Sequence, residues 1–282
     1  MASNEVLERL QALHPKKIDL SLDRIKRLLE KLGNPEQKLA SVIHVAGTNG
    51  KGSVARMLSA MMPAAGFYTS PHLTRINERI RIGDSEIADA DLNAIFERVR
   101  AAISHASDLL YPPTYFEIVT AMAFLYFASR TRFAVLEVGL GGRLDATNVV
   151  NQKVSVITSI GMDHEQFLGN SLEAIAAEKA GIIKPGAVVV CARQEPAALE
   201  VIAEHAANVG AALLLQDRDF GVVERSLAVG GQQLTLRGLG GSYSDLITAG
   251  DGNDIIVGDN GHAVFDPSTY RVITITTTAP DQ

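Results

Sequence analysis

The sequence predicts an α/β protein: a P-loop-type, doubly wound, mainly parallel sheet with flanking helices, followed by a short β-rich C-terminal tail. Three observations carry that prediction. The apolar run at residues 41–46 reads as a buried strand. It breaks at Gly47-Thr48-Asn49-Gly50-Lys51-Gly52-Ser53 and resumes as a helical pattern through Val54, Met57, Leu58 and Met61. Strand-like and helix-like segments then alternate as far as Leu215, enough for four to six parallel strands. Third, the run Phe133-Ala134-Val135-Leu136-Glu137-Val138 has the unbroken apolarity of a parallel-sheet strand except for one carboxylate. Burying that charge unpaired is costly, so Glu137 is expected at the carboxyl end of its strand, facing a cation, where open α/β sheets bind ligands.

Taken in order, residues 1–13 form a charged amphipathic pattern without the apolar core of a secretion leader. Ser21 is placed to cap a helix with Leu22, Ile25, Leu28, Leu29 and Leu32 on one face and Gly33 as its stop. The intervening Lys17-Ile18-Asp19-Leu20 reads by itself as a linker with a solvated charge. The helix after the glycine loop runs to about Ala65, with Pro63 interrupting its end. Gly66 leads straight into Phe67 and Tyr68, so the second strand should be short or strained. In Ser70-Pro71-His72, the hydroxyl beside a stiffened turn either ligates a cation or satisfies its own backbone as an ST-turn.

Residues 75–82 alternate basic and apolar positions, as an exposed strand would, and Asp89 and Asp91 can open a polar helix. Thr114-Tyr115-Phe116-Glu117 leads into an apolar helix through Ile118, Ala121, Met122, Leu125 and Tyr126. Glu117 matches the helix dipole there, and the two aromatics are assigned to the core. The strand at 154–158 delivers Gly161-Met162-Asp163-His164 to the same end of the sheet as Glu137. His164 is either a metal ligand or an ordinary satisfied imidazole. Asn170 is expected to cap the helix that carries Glu178 and Lys179 and ends at Gly181, with Glu173 three residues on. A strand at 186–191, a helix at 196–207 and a strand at 211–215 complete the alternation. Beyond Gln216 the pattern changes to short strands at 222–229 and 232–236.

Composition bounds the function. With 26 basic and 32 acidic residues the net charge is -6, which argues against broad nucleic-acid binding but leaves room for a local anion site. Cys191 is the only cysteine, so no internal disulfide is possible, in keeping with a reducing compartment. No apolar run approaches the roughly 18 residues that span a bilayer. The expected setting is cytoplasmic, with no membrane or nucleic-acid partner.

The glycine loop has the chemistry of a phosphate cradle. Its glycines let backbone N–H groups approach oxygens, the following helix dipole favours negative charge, and Lys51 adds a full positive charge. It departs from the strict G-x-x-x-x-G-K-[ST] pattern because Gly52 separates Lys51 from Ser53. The glycines after Glu137 do not make a dinucleotide loop, since Leu144 occupies the final position of G-x-G-x-x-G and no helix pattern starts there.

Together with the loop, Tyr68-Thr69-Ser70-Pro71-His72-Leu73, Asn77-Glu78-Arg79-Ile80-Arg81-Ile82, the block from Glu137 through Gly141-Gly142-Arg143-Leu144-Asp145-Ala146-Thr147-Asn148, Asp163-His164 and Glu178-Lys179-Ala180-Gly181-Ile182-Ile183-Lys184 resemble the folylpolyglutamate synthase and dihydrofolate synthase family, relatives of the Mur ligases. The likeness runs from about Ile18 to about Leu246. It implies a Mur-ligase-like ATP-binding domain over residues 1–246 and an ATP-dependent ligase that joins L-glutamate to dihydropteroate or a folate through an acyl phosphate. Thr48, Asn49, Gly50, Lys51, Gly52 and Ser53 would hold ATP, and Ser70, Glu137 and His164 would hold Mg²⁺. Ile18, Asp19, Leu20, Thr114, Leu144, Asp145 and Ala146 would contact the pterin substrate. Lys51, Lys179 and His164 would serve catalysis, with Lys179 carbamylated; by spacing alone, Lys179 is a helix-end lysine.

In the resembling family more residues separate the loop helix from the second strand, and a second α/β domain follows. That domain is not expected here. Residues 247–282 instead read as a β-prone tail in which Gly250-Asp251-Gly252-Asn253-Asp254-Ile255-Ile256-Val257-Gly258 resembles one calcium-binding nonapeptide turn. About three stacked turns are needed for stability, so Ca²⁺ binding is not expected. The ligase reading therefore stands beside two others: a nucleotide-binding remnant without ligase activity, or a weak calcium-binding tail module with a passenger domain. The chain is expected to work as a monomer on small molecules.

Overall fold

The computed structural model describes residues 20–62, 64–104, 112–228, 231–248, 261–266 and 271–277. Its strands are β1 (Ser41–Ala46), β2 (Gly66–Tyr68), β3 (Ile80–Ile82), β4 (Ser85–Glu86), β5 (Phe133–Glu137), β6 (Val154–Ile157), β7 (Val188–Cys191) and β8 (Ala212–Leu215), which form one sheet in the order β4-β3-β2-β5-β1-β6-β7-β8. The pairs β2/β5, β5/β1, β1/β6 and β6/β7 are parallel, while β3 and β4 extend the edge antiparallel. The parallel core agrees with the expected doubly wound sheet. The antiparallel edge was not anticipated, because strands of two and three residues carry too little periodicity to read.

The helices are α1 (Asp23–Lys31), α2 (Lys51–Met61), α3 (Asp89–Ser104), α4 (Tyr115–Phe127), α5 (Glu165–Leu168), α6 (Leu172–Ala180) and α7 (Pro196–Asn208). Every residue of α4 from Glu117 to Phe127 is buried, as a helix apolar on all sides requires. Its side chains share a core with Ile25, Leu28 and Leu29 of α1 and with Leu92, Phe96 and Val99 of α3. On a second face, Ala55 of α2 packs with Val45, Phe67 and Val135 of the sheet. At the end of α1 the N–H groups of Gly33 and Asn34 reach back to Glu30 and Leu29, and Gly33 takes the left-handed φ of +83°.

Several local expectations are corrected. Residues 75–82 are not an exposed strand: Ile76–Arg79 is a 3₁₀ turn with Ile76, Asn77 and Arg79 buried, and only β3 is extended. Hydrogen bonds from within and beyond the run set the turn. Glu78 accepts from the N–H groups of Leu73, Thr74 and Arg75, while the Asn77 amide donates to Ile87 O and Asp89 Oδ1. The helix α6 is capped by Ser171, whose Oγ accepts from Ala174 N–H at 3.2 Å, not by Asn170. Leu22 is the N-cap of α1, and Ser21 Oγ instead accepts from Asp23 N–H at 3.3 Å. As expected, β2 is short; Pro63 lies outside the described residues.

The chain divides into two compact units, one reaching Leu213 and one starting at Leu214. Within the second, β9 (Gly221–Ala228), β10 (Gly231–Gly238) and β11 (Gly241–Thr248) form an antiparallel sheet, and β12 (Gly261–Asp266) pairs antiparallel with β13 (Arg271–Thr277). The nonapeptide-like stretch at 250–260 lies outside the described residues, as do the expected first helix, Ile18 and Asp19. Among the described residues, no helix is long and apolar enough to cross a membrane.

Candidate active site

Strand β1 lies between β5 and β6, with Val45 opposite Glu137 on one side and Val156 on the other. The carboxyl ends of these three strands therefore open side by side, and each leads into one of the blocks singled out above. The loop leaving β1 needs its glycines. Gly47 has φ +146°, and a Cβ there would overlap Thr158 Oγ1; Gly50 has φ +80° at the head of α2.

The loop is tied down by its own side chains. Thr48 Oγ1 donates to Gly161 O at 3.0 Å and accepts from Gly161 N–H at 3.1 Å, fastening the loop to the segment that carries Asp163 and His164. That segment is also held by Gln194, which accepts from Ile160 N–H and donates to Thr158 O. Lys51 Nζ donates to the carbonyls of Gly47 and Thr48, both at 3.0 Å. Lys179, buried at 3% exposure on α6, donates to the same Gly47 carbonyl at 2.9 Å. Burial, reinforced by the Lys51 charge, lowers the Lys179 pKa to about 8. The last turn of α6 is held by Arg143, whose guanidinium pairs with Glu178 at 2.6 Å.

Glu137 is buried at the end of β5 as its strand pattern implied. Its Oε2 accepts from the Thr69 hydroxyl and from Ser70 N–H at 3.3 Å, while among the described residues its Oε1 accepts no hydrogen bond. Burial raises its pKa; the bonds from Thr69 and Ser70 and the charges of Lys51 and Arg79 oppose that rise. A Cβ on Gly52 would stand 3.4 Å from both carboxylate oxygens, an ordinary contact, so Glu137 lies directly against the first turn of α2. The sequence reading missed Thr69, which orients Glu137; the adjacent hydroxyl of Ser70 drew the attention.

Beside this lies a cavity of about 290 Å³. Its wall brings together Leu20, Thr114, Leu144, Asp145 and Ala146, all singled out from the sequence, with Ser70 and His164. Not all of these point polar atoms inward. Thr114 caps α4 by accepting from Glu117 N–H at 3.3 Å, and Glu117 returns a bond to Thr114 N–H at 2.6 Å. Asp145 accepts from the N–H groups of Gly139 and Leu140 with one oxygen and from Thr147 with the other, so it shapes the loop after β5. The Thr147 hydroxyl donates to Asp145 and so accepts from Nε2 of His44, a fully buried residue of β1, at 2.8 Å. Burial and the nearby Lys184 charge lower the His44 pKa to about 3.

Tyr115 and Phe116, expected in the core, pack against it and also line the cavity. His164 is half exposed with φ +50°, its Nε2 3.6 Å from Asp163. Ser53 is exposed at the start of α2. Among the described residues no three His, Cys, Asp or Glu side chains form a ready-made metal cage. The Ser70 hydroxyl and the open Glu137 oxygen nonetheless fit a hard cation such as Mg²⁺. That ion needs one or two protein oxygens and takes water and phosphate for the rest of its shell.

A glycine-built anion loop, two loop-facing lysines and a buried carboxylate at the carboxyl edge of a parallel sheet define a P-loop-type α/β protein. The family profile of the Mur ligase middle domain matches residues 45–215. The chain belongs to the Mur ligase family, on its folylpolyglutamate synthase/dihydrofolate synthase branch. It is 44% identical over 249 residues to the dihydrofolate synthase/folylpolyglutamate synthase of Mycobacterium tuberculosis, covering 82% of this chain and 51% of that protein. It is 43% identical over 230 residues to the folylpolyglutamate synthase of Lacticaseibacillus casei, covering 79% and 54%. Among solved structures, the apo form of the L. casei enzyme superposes with a TM-score of 0.80 at 39% identity, over 86% of this chain and 60% of that one. The M. tuberculosis folylpolyglutamate synthase complexed with ADP gives 0.77 at 42%, over 86% and 56%. The chain spans about half the length of the curated relatives it matches.

Proposed function

We propose that the chain forms the ATP-handling half of a ligase that adds L-glutamate to dihydropteroate or a folate. The observation that carries this reading is adjacency: Ser70 bonds Glu137 beside the phosphate loop and also lines the cavity shared by Leu20, Thr114, Leu144 and Ala146. A triphosphate and a carboxylic acid can meet there. The names of the matched relatives, and a solved neighbour described as a complex with AMPPCP and folate, support the same substrates.

In this reading the loop N–H groups of residues 48–53 and the Lys51 ammonium hold the β- and γ-phosphates. Ser70, Glu137 and His164 would hold Mg²⁺, which when bound would supply charge neutralisation for phosphoryl transfer. A substrate carboxylate oxygen attacks the γ-phosphorus, and ADP leaves. The glutamate amine then attacks the acyl carbon of the mixed anhydride, a proton is lost, and phosphate departs as the amide forms. Thr69 keeps Glu137 turned toward the loop. Lys179, with its lowered pKa, has a neutral fraction at physiological pH that CO₂ can carbamylate, which would replace a cation beside the loop with an anion. Leu144, Ala146 and Leu20 supply the apolar wall, while Thr114 and Asp145 hold the wall's backbone. Residues 1–246 form the ligase-type domain.

The test is a glutamate-ligation assay on the full chain, run with dihydropteroate and tetrahydrofolate in parallel, beside calorimetric titration with Mg-ATP. Product that depends on ATP supports the reading; absence of Mg-ATP binding by the wild-type chain overturns it.

A further inference from the structure

Arg79 is a charged side chain of the cavity wall that the reading above leaves without a role. It is 93% buried, with 7% of its surface exposed, and it lines the cavity. Its Nε donates to His72 Nδ1 at 2.8 Å, and its guanidinium lies 5.3 Å from the centre of the Tyr115 ring. Neither partner carries negative charge. Among the described residues Arg79 makes no ion pair, and its two terminal nitrogens have no hydrogen-bond acceptor.

Among the described residues no carboxylate pairs with it, although Glu117, in the same wall, keeps one buried oxygen without a hydrogen-bond partner. Glu78 accepts from three backbone N–H groups and the Thr74 hydroxyl. One oxygen of Glu137 takes Thr69 and Ser70, and its free oxygen faces Gly52. Asp145 accepts four bonds from the loop it closes, and Glu117 pairs with Arg24 at 3.2 Å. A second polar group is stranded in the same wall: the Tyr115 hydroxyl is buried and has no partner. A buried cation whose bonded partners are all neutral is unfavourable unless something else brings the opposite charge. The planar fork of a guanidinium fits a carboxylate with two parallel bonds.

We infer that Arg79 is the carboxylate-binding residue of the cavity: it takes the carboxylate of an aromatic acid whose ring system lies against Leu20, Phe116, Leu144 and Ala146. This deepens the proposed function and rests on it, because the carboxylate so held is the one that would receive the phosphoryl group. Ser70 shares the wall with Arg79 and bonds Glu137, so an acid on Arg79 stands on the side of the cavity nearest the phosphate loop. The Asn77-Glu78-Arg79-Ile80 block was visible in the sequence, but its expected exposure concealed the role.

The experiment compares dihydropteroate with its carboxamide, identical except for the charge, as calorimetric ligands of the full chain in the presence of Mg²⁺ and a non-hydrolysable ATP analogue. Wild type is expected to bind the acid about ten- to a hundredfold more tightly than the amide. Arg79→Met should erase that preference while leaving the amide's affinity unchanged. Arg79→Lys, which keeps the charge but loses the fork, should fall between them. Equal affinity of wild type for acid and amide overturns the assignment without any variant, as does an Arg79→Met chain that keeps the preference. Wild type that binds neither compound, with Mg-ATP binding absent as well, overturns the ligase reading and this one with it. Wild type that binds both equally removes only Arg79 from its role.

Discussion

The side-chain amines of Lys51 and Lys179 donate to the same atom, the carbonyl oxygen of Gly47, at 3.0 and 2.9 Å. Two amines on one acceptor carbonyl put two cations side by side, which favours release of one proton. Burial first, and the Lys51 charge second, bring Lys179 down from 10.5 to about 8. In the unfolded chain the same lysine keeps its ordinary value. Below pH 8 both states hold the proton and the penalty is fully present. Between 8 and 10.5 the unfolded chain holds a proton that the folded chain has released, so stability rises with pH. In CO₂-free buffer, the stability of wild type relative to Lys179→Met should therefore improve across that window by about 1–3 kcal/mol, read from denaturant midpoints.

Gly47→Ala should damage the loop more than its size suggests. The new Cβ would overlap Thr158 Oγ1 and would sit on a backbone at φ +146°. We expect a loss of about 2–4 kcal/mol in urea unfolding. Mg-ATP affinity should fall at least tenfold by calorimetry.

Thr48→Val keeps the shape of the side chain and removes both of its bonds to Gly161. Leaving that N–H and carbonyl without their partner costs about 1–3 kcal/mol. Ligation should slow because the segment carrying His164 is no longer fixed to the loop, and Thr48→Ser should restore both stability and rate. The readouts are thermal melting and initial rates at saturating ATP.

Glu137→Gln preserves the volume of the side chain but removes its charge. Because burial already raises the Glu137 pKa, the neutral amide should leave the melting temperature unchanged or higher. Mg²⁺-dependent enhancement of ATP binding should be lost by about tenfold or more, measured as affinity with and without the metal. A matching loss in metal-free affinity would assign Glu137 to the loop's structure instead.

The sequence revealed most clearly those features whose causes are local. The loop at 47–53 could be read because its glycines are needed in place, and Glu137 because a carboxylate in an apolar strand has few tolerable locations. Glu117 was legible only as a dipole-matched acid; its capping box with Thr114 emerges from the structure. What stayed hidden depends on contacts between distant segments. The 3₁₀ turn at Ile76–Arg79 exists because Asn77 reaches Ile87 and Asp89, so an alternating pattern was mistaken for an exposed strand. Asn170 and Ser171 are equally able to cap α6, and only the tertiary setting chooses Ser171. Thr69 and Arg79 became visible only once β2, β3 and β5 were side by side.

The imidazole of His44 has a chemical consequence for how such a catalyst responds to acidity. It stays uncharged down to about pH 3, and its Nε2 proton feeds Thr147 and, through it, the carboxylate that closes the loop after β5. His44 therefore adds no charge to the end of the sheet within the physiological range. An acid limb in a stability profile therefore cannot come from this imidazole above about pH 3, and the alkaline rise in stability belongs to the amine on α6.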